Sequence, residues 1–189
     1  MTTPAARAKL AEIIYRRSFG RGEVTLASGK TSDYYFDMKP SMLDAEGSAI
    51  IAHMLHELVA ASGASHVGGL ELGAVPITGS VCAVSVAAGK PLAGFIVRKQ
   101  AKGHGAQKKV EGLMRDETLA GKKVAILEDV TTTGGSAAQV IELCREAGAE
   151  VALVVSIVDR DEGAADFFAA QGVKFEALFK AQEFRSRTD

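Results

Sequence analysis

The sequence predicts an α/β protein in which helices cover both faces of a parallel sheet. Three observations predict it. Apolar runs fall at His66 to Leu72, Leu92 to Val97, Val124 to Leu127 and Val151 to Val158. Helical stretches, at about Ile77 to Ala88 and about Ser136 to Ala147, alternate with them. The runs are almost continuously apolar, as expected of strands buried on both faces and joined by crossover helices. The chain has 189 residues, 47% of them hydrophobic and 24% charged, enough to bury a core of ordinary domain size.

The remaining elements follow in order. Thr3 and Pro4 form a cap and first helical position, and Leu10, Ile13 and Ile14 recur at helical spacing, which predicts a helix ending near Arg17. Two β-like pieces follow, Val24 to Ala27 and Tyr34 to Asp37, around the turn-rich Ser28-Gly29-Lys30. A second helix is predicted from about Asp44 to Ala61, closed by Gly63. The segment from about Lys99 to Glu117 has no apolar pattern and is predicted to be a long loop; ordered loops of that length are usually functional. No internal repeat, low-complexity tract or linker interrupts the chain.

Charge and composition narrow the class. A formal net charge of -1 argues against general nucleic-acid binding. The N-terminal stretch lacks the apolar run of a secretory signal, and no segment has the apolar length needed to cross a bilayer, which predicts a cytoplasmic protein. Cys82 and Cys144 lie outside any metal-binding spacing and are expected to be buried thiols. His53 and His56 stand as H-x-x-H-E, not the zincin order, and are read as packing or solvated residues.

The strongest chemical signal is VAILEDVTTTGGSAAQVIELCREAGAE. A buried strand is expected to end in Glu128 and Asp129, followed by a turn of Thr131, Thr132, Thr133, Gly134, Gly135 and Ser136 and then a helix. Such a turn aims backbone N–H groups and hydroxyls at one anion. Its glycines admit positive φ, and the helix N-terminus adds partial positive charge. The acids would repel a phosphate, so they are expected to face a neutral polyol or a metal. Phosphate at one end and hydroxyls at the other describes a phosphorylated sugar. A P-loop is excluded because no Gly-Lys-Ser/Thr closes the turn, and a dinucleotide fingerprint because G-x-G-x-x-G is missing.

This segment resembles the motif with which type I phosphoribosyltransferases bind 5-phosphoribosyl 1-pyrophosphate (PRPP). The resemblance implies a Rossmann-like parallel sheet flanked by helices. By position it assigns Glu128 and Asp129 to the ribose hydroxyls, and the turn from Val130 and Thr131 through Ser136 to the 5-phosphate.

The loop RKQAKGHGAQKKVEG carries Arg98, Lys99, Lys102, Lys108 and Lys109 with His104. By itself this is either a solvated basic loop or a cationic lid for a highly charged leaving group. Its R-K-x-x-K-x-H-G spacing resembles the catalytic loop of orotate phosphoribosyltransferases. That resemblance implies pyrophosphate and transition-state roles for Arg98, Lys99, Lys102 and His104, and a homodimer with shared active sites.

Residues 28–37 resemble the small N-terminal hood of the same family, which implies that Tyr35 and Phe36 cover the orotate ring. The residues alone also fit ordinary strand packing. Arg160 follows the last central apolar run. It matches a family arginine that contacts orotate, with an ion pair to Asp159 or Asp161 as the structural alternative. Thr132 matches a turn threonine that also reaches the base. GLELGAVPITG resembles the pyrophosphate loop and assigns Leu72 and Gly73 to PRPP. The sequence departs from the family here, since some members carry lysine where Gly73 and Ala27 stand.

The resemblance spans nearly the whole chain. It implies one domain over residues 1–189, with about the first 40 forming the hood. It also implies the conversion of PRPP and orotate to orotidine 5′-monophosphate (OMP) and pyrophosphate in pyrimidine biosynthesis, with Mg²⁺ held mainly through PRPP. A purine phosphoribosyltransferase and a non-catalytic PRPP-sensing regulator remain the alternatives. The first gives no reason for the R-K-x-x-K-x-H-G loop or Arg160. The second would call for a DNA-binding domain or a basic face.

Overall fold

The computed structural model describes residues 3–25, 31–100 and 109–187. Helix α1 spans Pro4–Arg17, and the Thr3 hydroxyl caps it by accepting from the Ala6 N–H at 3.1 Å. Its Leu10, Ala11, Ile13 and Ile14 are buried. Strands β1 (Phe19–Thr25) and β2 (Thr31–Phe36) pair antiparallel as a separate two-stranded sheet. The first begins five residues earlier than the expected Val24, because Phe19 and Gly20 pair with Phe36 and Tyr35. A short helix, α2 (Lys39–Met42), was not anticipated; four residues carry too little periodicity to read. Helix α3 (Ala45–Ser62) matches expectation at both ends. Asp44 accepts from the Gly47 N–H at 2.8 Å, and Gly63 closes the helix with φ 74°.

The main sheet holds six strands in the order β5-β4-β3-β6-β7-β8. Strands β3 (His66–Leu70), β4 (Ala93–Val97), β6 (Lys123–Thr131), β7 (Glu150–Asp159) and β8 (Phe175–Lys180) run parallel. The two-residue β5 (Val110–Glu111) pairs antiparallel with β4, so the expected loop to Glu117 contains a strand anchored on the sheet edge. Helices α4 (Ala74–Ala87) and α5 (Gly135–Glu146) connect β3 to β4 and β6 to β7. Helix α6 (Ala164–Ala170), β8 and α7 (Gln182–Arg185) extend the expected pattern beyond its last central strand.

Strand alternation divides the core into two apolar layers. On β6, Ala125 and Leu127 join the layer containing Leu10, Ile51, Leu55, Ile77 and Val155. Val124 and Ile126 join the layer containing Phe95, Val140, Ile141 and Phe168. Cys144 is buried with its thiol pushed up to about 12 by desolvation, as expected; Cys82 is only half-buried. Among the described residues no helix is long and apolar enough to cross a membrane.

The strand order positions the site. From β3 the chain steps outward to β4 on one side, whereas β6, β7 and β8 step outward on the other. Between β3 and β6 the order therefore reverses, leaving a crevice beyond their carboxyl ends, where open α/β sheets bind ligands.

Candidate active site

The acid pair lies inside β6 and not at its end, because the strand continues to Thr131 against Asp159 of β7. Successive strand side chains point to opposite faces, so the two carboxylates meet different neighbours. Glu128 is 8% exposed, and its Oε1 is buried with no hydrogen-bond partner. Burial, and next the charge of Asp129, push its carboxyl up to about 8, with Lys99 opposing. Asp129 is also raised by burial. The Val130 N–H, donating to its Oδ1 at 2.9 Å, and the charge of Lys39 oppose that shift.

Beyond the strand, Thr131 is buried with an unpartnered Oγ1, while Thr133, Gly135 and Ser136 are exposed. Gly134 has φ 88°, and a Cβ there would come within 2.8 Å of the rings of both Phe167 and Phe168. Only glycine meets both demands without strain. No side chain caps α5, which leaves its first N–H groups open toward the crevice. The turn thus presents backbone donors and hydroxyls in an arrangement chemically able to hold an anion.

Across the crevice, the peptide linking Glu71 and Leu72 is cis, Leu72 is 62% exposed, and Gly73 precedes α4. A Cβ on Gly73 would lie 2.6 Å from Asp129 Oδ1, so this turn and the acid pair are in direct contact. The Glu71 carboxylate accepts the Lys99 N–H at 2.9 Å and lies 4.0 Å from the Arg98 Nε. Arg98 also pairs with Glu111 at 3.2 Å, and its N–H donates to the Lys109 carbonyl at 2.8 Å. The root of the basic segment is therefore tied to the turn after β3. Lys102, His104 and Lys108 lie outside the described residues, as do Ala27 and Ser28-Gly29-Lys30.

Arg160 stands at the end of β7, where its N–H donates to the Thr131 carbonyl at 2.9 Å. Its side chain is 3% exposed. The expected alternative, an ion pair with Asp159 or Asp161, does not form. Asp159 accepts the Asp161 N–H, Asp161 pairs with Lys180, and Arg160 instead meets Glu162 at 2.7 Å. The guanidinium also donates to Ser32 Oγ at 3.0 Å and lies 4.1 Å above the Tyr34 ring. Phe36 packs against Phe19 and Phe184 at the hood's base, whereas Tyr35 is 43% exposed.

A cleft of about 750 Å³ opens beside Tyr34 and Arg160, lined also by Ser32, Asp33, Glu162 and Arg185. The turn from Thr131 to Ser136 is not part of its lining, so the cleft extends the site only at the Arg160 end.

Ser32, Tyr34, Lys39, Glu71 and Glu162 belong to this constellation and were not found by sequence reading. Ser32 and Tyr34 sit beside the aromatics singled out in the hood. The others carried no signal, since an isolated Lys or Glu is indistinguishable from surface.

Comparison with known proteins supports the geometry. The Phosphoribosyl transferase domain family matches residues 42–173. The chain is 57% identical over 184 residues to orotate phosphoribosyltransferase of Bradyrhizobium sp. (strain ORS 278), covering 97% of this chain and 100% of that protein. A crystal structure of Mycobacterium tuberculosis H37Rv orotate phosphoribosyltransferase in complex with Fe(III) dicitrate is similar, with TM-score 0.81 and 38% identity over 95% of this chain and 98% of that one. The same enzyme in complex with PRPP gives TM-score 0.76 and 30% identity, covering 96% and 93%. With these matches over nearly the whole chain, and with the switch-point crevice, the acid pair and the Thr/Gly-rich turn in place, the chain belongs to the phosphoribosyltransferases, among the orotate phosphoribosyltransferases.

Proposed function

We propose that residues 1–189 act as one catalytic domain that transfers ribose 5-phosphate from PRPP to N1 of orotate, giving OMP and pyrophosphate. The observation that carries this reading is the pairing of an uncapped α5 N-terminus with two buried carboxylates near the end of the strand that leads into it. Val130 to Ser136 hold the 5-phosphate through backbone N–H groups and threonine hydroxyls. Glu128 and Asp129 accept from the ribose hydroxyls, which supplies partners for the orphaned Glu128 Oε1. Leu72 and Gly73, at the start of α4, offer backbone N–H groups to the pyrophosphate.

The residues fit a divalent cation carried in with PRPP. Two hard carboxylates are present, one with an unpartnered buried oxygen, and among the described residues no group of three metal-binding side chains would form a protein-only cage. Glu128 and Asp129 would hold Mg²⁺ through the ribose hydroxyls and water, and the ion would neutralise charge on the departing pyrophosphate.

Orotate sits under the hood. Arg160 donates to its carboxylate, Thr132 reaches it from the turn, and Tyr35 covers the ring over the support of Phe36. The C1–O bond to pyrophosphate breaks as the N1–C1 bond forms on the opposite face, and N1 gives up its proton. Arg98, Lys99, Lys102 and His104 place positive charge and a hydrogen-bond donor where negative charge grows. Positioning and electrostatics supply the rate, with no covalent intermediate on the protein. The working unit is a homodimer sharing its sites, in the cytoplasm.

The test is to mix the protein with PRPP, Mg²⁺ and orotate and follow orotate absorbance. Its loss, with OMP formed, is the expected result. Turnover of adenine or hypoxanthine in place of orotate, or PRPP binding without turnover, would overturn the reading.

A further inference from the structure

Arg160 is a buried cation held from two parts of the fold. Its side chain is 3% exposed, so the guanidinium depends on neighbouring acceptors in place of water. From the loop after β7, Glu162 Oε1 accepts from Nε at 2.7 Å. A tight turn brings it there: Asp159 accepts the Asp161 N–H at 2.9 Å, and Asp161 takes a left-handed conformation at φ 60°. From the hood, Ser32 Oγ on β2 accepts from Nη2 at 3.0 Å. The Ser32 hydroxyl donates its own proton to the Tyr34 carbonyl at 2.9 Å, so toward Arg160 its oxygen acts as an acceptor. The centroid of the Tyr34 ring, 4.1 Å from the guanidinium carbon, confines the group from a third direction.

These contacts use the guanidinium unevenly. It carries one N–H donor on Nε and two on each terminal nitrogen. Glu162 takes the Nε donor and Ser32 takes one on Nη2. Both Nη1 donors and the second Nη2 donor meet no acceptor among the described residues. Free donors on both terminal nitrogens are what a carboxylate needs for two parallel hydrogen bonds.

We propose that Glu162 and Ser32 are positioning residues, which hold Arg160 by Nε and Nη2 so that its terminal nitrogens are presented to the carboxylate of orotate. This rests on the reading of Arg160 as the group that meets that carboxylate. Glu162 fixes one edge of the guanidinium, and Ser32 stops it from turning about that bond.

Steady-state kinetics with both substrates varied test it on Glu162→Ala, Glu162→Gln and Ser32→Ala, and on each alanine variant combined with Arg160→Ala. Glu162→Ala and Ser32→Ala should each raise the KM for orotate about tenfold, on the order of one charge-assisted hydrogen bond. The KM for PRPP should stay within about twofold. Glu162→Gln keeps an acceptor for Nε and should recover most of the loss. With Arg160 already replaced by alanine, neither alanine substitution should raise the KM for orotate further, because both act through that side chain. A merely structural role would add to the Arg160→Ala effect. Ser32→Ala removes only a hydroxyl at a half-buried site, so the test stands even where Glu162→Ala unfolds. Wild-type constants in the alanine variants, equal rises for both substrates, or a further tenfold rise in the Arg160→Ala background would overturn the proposal. An unchanged KM for orotate in Arg160→Ala alone would overturn the carboxylate contact with it, whereas turnover of PRPP and orotate by the wild-type protein tests the broader reading independently.

Discussion

Glu128 offers the sharpest physical test. Its carboxyl is buried, one oxygen has no partner, and its pKa stands at about 8 against an ordinary 4.5. The folded protein therefore binds a proton that the unfolded chain has released, and stability falls as pH rises from about 4.5 to about 8, then levels off. At roughly 1.4 kcal/mol per pH unit, the loss between pH 5 and pH 8.5 is on the order of 4 kcal/mol. Glu128→Gln replaces the neutral acid with a near-isostere that cannot ionise. Relative to wild type, the ligand-free variant should gain stability steadily over that window. For a chain of this size, about 2–4 °C per kcal/mol makes the gain in Tm about 10 °C larger at pH 8.5 than at pH 5. Thermal unfolding followed by circular dichroism at the two pH values measures it. A Tm difference between variant and wild type that does not change with pH would refute the reasoning, since it would mean the carboxyl is solvated or paired. The same variant should bind PRPP more weakly, because the amide gives up one of the two acceptor oxygens offered to the diol.

The other expected outcomes address separate parts of the site. Arg160→Lys keeps the charge but loses the fork that meets Glu162 and Ser32, so the KM for orotate should rise at least about tenfold with the KM for PRPP little changed. Gly134→Ala places a methyl against Phe167 and Phe168 at φ 88°; it should cost about 1–3 kcal/mol in thermal unfolding and raise the KM for PRPP. Lys102→Ala should lower kcat by about a hundredfold or more while Tm stays at the wild-type value, and an unchanged kcat would remove Lys102 from catalysis.

Much of this is legible in the sequence. The ends of α3 were readable because Asp44 and Gly63 are local devices whose effect depends on the backbone next to them. The Thr/Gly-rich turn was readable for the same reason, being built from consecutive residues 131–136 on one strand–helix junction. The family loop was recognised by spacing alone. Strand limits were less legible. The end of β6 moved from Asp129 to Thr131, because pairing of Thr131 with Asp159 decides it, and no local signal records a partner strand.

The sequence by itself determined the parallel α/β architecture, the strand–turn–helix junction over residues 128–136, and an arginine directly after β7, since each rests on periodicity or on neighbours within a few residues. Only the tertiary structure decided how those parts meet. It set Gly73 against Asp129 and gave Arg160 to Glu162 in place of the flanking aspartates. The physical reason is that charge, burial and contact act through space. Their strength depends on distances that chain order does not encode.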